Sequence, residues 1–139
     1  MIKIPTVKLN NGIDMPIVGY GTAMIDPDEL NRVISDAVDV GYRYFDTAPE
    51  YGNLAEVGDA LRATGIKREE LFIATKLPAE GHSYEGAKEV FNKALDMLKM
   101  DYVDLYVIHH PLLDYEGFCE SWRAMQEFYN EGRCKSIGL

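Results

Sequence analysis

Basic residues are in short supply. The chain has 14 Lys and Arg against 23 Asp and Glu, a formal net charge of −9. So little positive charge argues against a basic face for gripping nucleic acid or an anionic membrane. Long apolar stretches are also missing. Although 47% of the 139 residues are hydrophobic, no uninterrupted run approaches the roughly 20 residues that span a bilayer. Cysteine is scarce, and the two present, Cys119 and Cys134, have neither metal-type spacing nor a disulfide framework. A reducing, cytoplasmic setting and free structural thiols are expected. The opening MIKIPTVKLN lacks an apolar core before a small-residue cleavage site, so no secretory leader is expected. There is no glycine-rich phosphate loop. With no Gly/Ser linker or low-complexity tract, residues 1–139 read as one domain.

What is present is a recurring unit. Short apolar runs, IVGYGTA (17–23), YRYFDTA (42–48), LFIATK (71–76) and VDLYVIHH (103–110), are each followed by a turn and a segment of helical periodicity, and KSIGL (135–139) opens a fifth. They begin 25 to 32 residues apart, which fits successive βα units. Runs that are mostly continuous rather than alternating point to a parallel sheet covered on both faces. The helices carry start and stop signals. Asp26-Pro27-Asp28-Glu29 reads as a cap, an N1 proline and a capping-box glutamate, with Gly41 as the stop. Asn53 and Glu56 repeat the arrangement before a helix ending at Gly65, and Ser83 suits a third cap. A fourth helix spans about Asp114 to Glu131, with Phe118, Trp122, Met125 and Phe128 as a core stripe. Ahead of the first unit, TVKL-NNG-IDMP (about 6–16) reads as a hairpin around an Asn-Gly turn, placed as a lid across one end of a barrel.

Polar residues close the runs. Asp46 ends the second, Lys76 the third and His109 the fourth, while Tyr51 lies five residues beyond Asp46. In a parallel α/β sheet the C-terminal strand ends share one rim, so the four should converge. A lysine ammonium beside a phenol stabilises the phenolate, and a carboxylate keeps that ammonium charged and oriented. The tyrosine can then act as general acid toward a substrate oxygen that the histidine holds. Each residue has a plainer reading: Asp46 as a turn residue, Lys76 as an exposed strand end, His109 as a core histidine, Tyr51 as a packed loop aromatic. From the residues alone both readings stand. His82 reads as a solvated loop histidine. His110 as a metal ligand with His109 is disfavoured because strand neighbours point to opposite faces, so no metal is expected.

The stretches G-Y-R-Y-F-D-T-A-x-x-Y-x-N (41–53), I-A-T-K (73–76) and D-Y-V-D-L-Y-V-I-H-H-P (101–111), with Gly21-Thr22 and the hairpin, resemble the aldo-keto reductases. The resemblance runs the length of the chain. It implies an α/β fold of (β/α)8 TIM-barrel type, here four βα units (about 17–139) plus a fifth-strand stub. It also implies NADPH-dependent reduction of small aldehydes or ketones. By resemblance Asp46, Tyr51, Lys76 and His109 match the catalytic tetrad. Tyr51 would be the acid, Lys76 and Asp46 its tuning pair, and His109 the group that orients the carbonyl. Gly21, Thr22 and Asp46 would line the nicotinamide pocket, and His110 the substrate mouth. Tyr44 and Leu54 depart from the family pattern, Leu54 in a way expected to loosen the second helix.

A barrel of this type typically has about 250 residues, so the sequence reads as the N-terminal half of a reductase, stopping before the family's Ser-Asn pair. A form of these 139 residues alone is expected to bind NADPH weakly or not at all. The alternative is a half-barrel without activity of its own, an assembly module or pseudoenzyme. The open sheet edges, and barrel-facing side chains among Val18, Phe45, Ile73 and Val107 or their strand neighbours, lead to an expected homodimer or pairing with a C-terminal half-barrel.

Overall fold

The computed structural model describes residues 3–111 and 114–139. Met1, Ile2, Leu112 and Leu113, which the one-domain reading includes, lie outside the described residues. The hairpin forms as expected. Strands β1 (Thr6–Lys8) and β2 (Asp14–Pro16) pair antiparallel with Val7 opposite Met15. Gly12 takes φ 88° in the turn, a left-handed conformation that glycine adopts without steric cost. Asn11 Nδ2 reaches out of this turn to Lys135 O (2.9 Å) and Ser136 Oγ (3.0 Å), just ahead of the last strand. The hairpin therefore lies at the N-terminal end of the sheet.

Five parallel strands follow in sequential order: β3 (Tyr20–Gly21), β4 (Tyr44–Asp46), β5 (Phe72–Leu77), β6 (Leu105–Ile108) and β7 (Ile137–Gly138). Helices α1 (Leu30–Val40), α2 (Leu54–Ala63), α3 (Tyr84–Leu98) and α4 (Tyr115–Asn130) join them. This is the connectivity of half a (β/α)8 barrel. β3 is much shorter than the apolar run 17–23. Among the described residues it is an edge strand with a partner on one side only, and Ile17 and Val18 stay exposed. No helix of the described residues is long and apolar enough to cross a membrane.

Register assigns the two faces of the sheet. Tyr106 packs against Phe91 of α3 and lies near Phe128 of α4, with ring centroids 4.6 and 6.4 Å away, so its parity faces the helices. Tyr106 pairs with Thr75, and Ile73 with Phe45, which puts Phe45 and Ile73 on the helix side as well. Among the residues proposed to face the barrel interior, Val107 does so. For Phe45 and Ile73 it is their strand neighbours, Tyr44 and Ala74, that do. Tyr44 stacks edge-on to Phe72 at 4.9 Å, and Gly19 leaves room for it, since a Cβ there would lie 2.7 Å from the Tyr44 ring.

Helix punctuation held in part. Asp26 Oδ1 accepts from Asp28 N at 3.0 Å, although that first turn is 3-10 and Glu29 turns to Arg32 rather than back to the cap. Gly41 closes α1 at φ 121°, and Ser83 Oγ caps α3 through Gly86 N at 3.0 Å. Asn53 does not cap α2, because its side chain is drawn to the loop after β3. Leu54, expected to loosen the helix, is completely buried in the core. His82, expected to be solvated, has both ring nitrogens buried without a partner among the described residues, and its ring faces Phe118.

Beneath β5 and β6, the carboxylate of Asp104, 4% exposed, takes Arg68 Nη2 (2.7 Å), Ile73 N (2.9 Å) and Lys135 Nζ (3.1 Å). A buried charge is tolerated because its two oxygens face three donors, two of them cationic. Cys119 is exposed, Cys134 is buried, and both are free.

Candidate active site

The rim opposite the hairpin gathers the polar strand ends. β4 stops at Asp46, which pairs with Ala74. Lys76 lies two residues further along β5 on the same face, one pleat nearer the rim. From there its ammonium meets three acceptors: Asp46 Oδ2 at 2.7 Å, Tyr51 OH at 3.0 Å and Thr47 O at 3.1 Å. That matches the three N–H bonds of a lysine. The Lys76 side chain is 12% exposed and that of Asp46 32%, so the pair works in a site partly shielded from solvent.

Tyr51 comes from a 3-10 turn, Pro49–Tyr51, which Gly52 ends at φ 69°. The turn swings the phenol back over the strand ends. His109 follows β6, its N–H bound to Leu77 O at 2.9 Å. Its ring stands edge-on to Tyr51, centroids 5.8 Å apart at 80°. The four residues are thus brought together, with Tyr51 between the lysine and the histidine.

His110 behaves differently from expectation. Because β6 ends at Ile108, strand alternation no longer governs the next residues. The two imidazoles stack, 4.3 Å apart and 15° from parallel, on one side of the chain. Glu50, which sequence reasoning passed over, faces both. Its Oε2 contacts His109 Nδ1 and lies 3.7 Å from His110 Nε2. The His109 contact is one of proximity rather than an aligned hydrogen bond. A carboxylate next to the motif tyrosine was the available signal, but nothing in the spacing pointed it at a residue 59 positions away.

Asn53 was also missed as a site-building residue. It is 1% exposed, and its amide donates to Thr22 O (3.0 Å) and Ile25 O (3.1 Å). This ties the loop after β3 to the start of α2. Thr22 is buried, with its hydroxyl on Asp46 O at 3.1 Å. Gly21 is exposed beside Asp46, and a Cβ built on it would meet nothing within 4 Å. The surface at Gly21, bordered by Asp46, is therefore open. Tyr44, on the same face as Asp46, has its phenol held above its ordinary value, first by burial and then by the Asp46 charge.

The model for the aldo/keto reductase family matches residues 17–139. The chain belongs to that family. Among curated relatives it is 39% identical over 137 residues to morphine 6-dehydrogenase of Pseudomonas putida, covering 99% of this chain and 46% of that protein. It is 41% identical over 135 residues to an aldo-keto reductase of Mycobacterium tuberculosis, covering 97% and 48%. Of solved structures, an aldo/keto reductase from Brucella melitensis superimposes with TM-score 0.94 at 45% identity, covering 98% of this chain and 53% of that one. An aldo-keto reductase of Bombyx mori in complex with NADP does so with TM-score 0.90 at 32% identity, covering 99% and 50%. The chain spans about half the length of the curated relatives it matches.

Proposed function

We propose that this chain supplies the proton-donating part of an NADPH-dependent carbonyl reductase acting on small aldehydes or ketones. The observation that carries the reading is the position of Lys76 Nζ, bonded at once to Tyr51 OH and Asp46 Oδ2. Gly21, Thr22 and Asp46 would hold the nicotinamide of NADPH, which when bound would supply the hydride that the carbonyl carbon accepts. Tyr51 OH gives its proton to the carbonyl oxygen, and the phenolate left behind faces the Lys76 ammonium. Asp46 keeps that ammonium in place. His109 donates a hydrogen bond that holds the oxygen toward Tyr51, and Asn53 and Thr22 fix the loop bearing Gly21.

The test is NADPH consumption with a panel of aldehydes and ketones, for the chain as it stands and joined to the remainder of a barrel. Tyr51→Phe should remove turnover while leaving the fold intact; turnover that survives it would sink the reading. The alternative is a half-barrel inactive by itself, for which NADPH titration of the 139-residue chain would show no saturable binding. In the assembly this reading implies, the edges β3 and β7, unpaired among the described residues, join strands of a second copy or of a separate C-terminal half. Sedimentation showing a monodisperse, cooperatively unfolding monomer would remove that part.

A further inference from the structure

We propose that Glu50, His109 and His110 form a binding site for a divalent transition ion, zinc in the first instance. One donor atom from each, a carboxylate oxygen and two imidazole nitrogens, lie within 4.8 Å of one another. Donors on tetrahedral zinc sit roughly 3.3 Å apart, given metal–ligand distances near 2.0–2.2 Å. Closing the present triangle therefore takes only small side-chain rotations.

The backbone already does the difficult part. Ending β6 at Ile108 lets two consecutive histidines turn to the same side. The 3-10 turn Pro49–Tyr51 brings the carboxylate to them. His110 is 60% exposed and Glu50 31%, so an ion has an entry path and water can fill a fourth position, as at zinc sites with three protein ligands. Two imidazoles and a carboxylate without a thiolate suit zinc, copper or nickel and discriminate against magnesium, which prefers oxygen ligands and keeps its waters.

The binding claim stands apart from the reductase reading. Only its consequence depends on that reading: a metal on the His109 imidazole takes the group that would hold the substrate oxygen, so zinc would act as a stop on the site.

The experiment is titration of the untagged chain with zinc chloride, by calorimetry and by competition with a chromophoric chelator, with magnesium chloride as control. One zinc per chain is expected, and no magnesium. His110→Ala and Glu50→Gln should each weaken zinc binding by at least the roughly 10- to 100-fold that losing an outer hydrogen-bonding partner of a metal ligand costs. His82→Ala should leave it unchanged. Circular dichroism would show that each variant is folded. His110 is exposed, so His110→Ala is the variant that keeps the test open if Glu50→Gln unfolds. The proposal is overturned by absence of saturable zinc binding, by equal binding of magnesium, or by full affinity in His110→Ala.

Discussion

Lys76 Nζ lies 3.0 Å from Tyr51 OH. The same ammonium holds Asp46 Oδ2 at 2.7 Å and Thr47 O at 3.1 Å, leaving it no spare donor and no freedom to turn away. A phenol so placed has a fixed cation waiting for the charge that proton release creates. Lys76→Met removes the cation and leaves Asp46 with a negative charge aimed at the phenol. In any active form of the chain, kcat should fall by about 10²- to 10⁴-fold, the range of a general-acid contribution, with little change in KM. Asp46→Asn should cost less, since the ammonium remains. Steady-state kinetics decide it, and equal losses in the two variants would count against the assigned roles.

Asn53 carries a second prediction. Its amide joins Thr22 O and Ile25 O to the start of α2 from a buried position. Asn53→Ala removes both donors and leaves two carbonyls short of a partner, for about 1–3 kcal/mol of lost stability. The loop it releases carries Gly21, so in any active form of the chain NADPH affinity should fall more than kcat does. Urea unfolding together with cofactor titration tests this. A stability loss with unchanged affinity would confine Asn53 to the core.

The order of elements and the three strand-end residues Asp46, Lys76 and His109 were legible because parallel βα units announce themselves through apolar runs, and the strand ends fall on one rim by topology. Facing was harder to read. Phe45 and Ile73 look interchangeable with Tyr44 and Ala74 until register against Tyr106 settles parity, and continuous apolar runs carry no alternation from which to read it. The Glu50–His109–His110 cluster was hidden for a related reason. Opposite facing of neighbours holds only within a strand, and nothing in VDLYVIHH marks Ile108 as its last strand residue. Asn53 carried a capping signal that a nearby pair of carbonyls overrode.

Packing between α2 and α3 predicts a contrast between two glycines. A Cβ on Gly58 would lie 2.6 Å from Leu98 O and 2.8 Å from its Cα, all backbone. A Cβ on Gly21 would touch nothing within 4 Å. Gly58→Ala should therefore destabilise the chain by about 1–3 kcal/mol through forced separation of the helices, despite alanine's better helix propensity. Gly21→Ala should leave the denaturation midpoint unchanged. Equal midpoints for the two variants would show that the α2–α3 contact is looser than drawn.

The buried Tyr106 hydroxyl predicts behaviour in alkali. Its ring is fully buried against Phe91, and its oxygen has no partner among the described residues. Burial, followed by the neighbouring Cys134, raises it well above the ordinary 10.0. Burial likewise pushes the Cys134 thiol from 9.0 up to about 12. Both groups are neutral in either state at pH 7, so they add no pH dependence there. Above about pH 9 the unfolded chain releases these protons while the folded chain keeps them. The unfolded state then binds fewer protons, and stability falls as pH rises. Each group contributes a slope of up to about 1.4 kcal/mol per pH unit. Tyr106→Phe removes one of the two, so its unfolding free energy should decline less steeply between pH 10 and 11 than that of the parent. At pH 7 the variant should be as stable as the parent or more so, because it removes a buried hydroxyl that makes no hydrogen bond. Urea melts across this range measure both effects, and a destabilised variant with the parent's alkaline slope would show that the hydroxyl has a partner in solution.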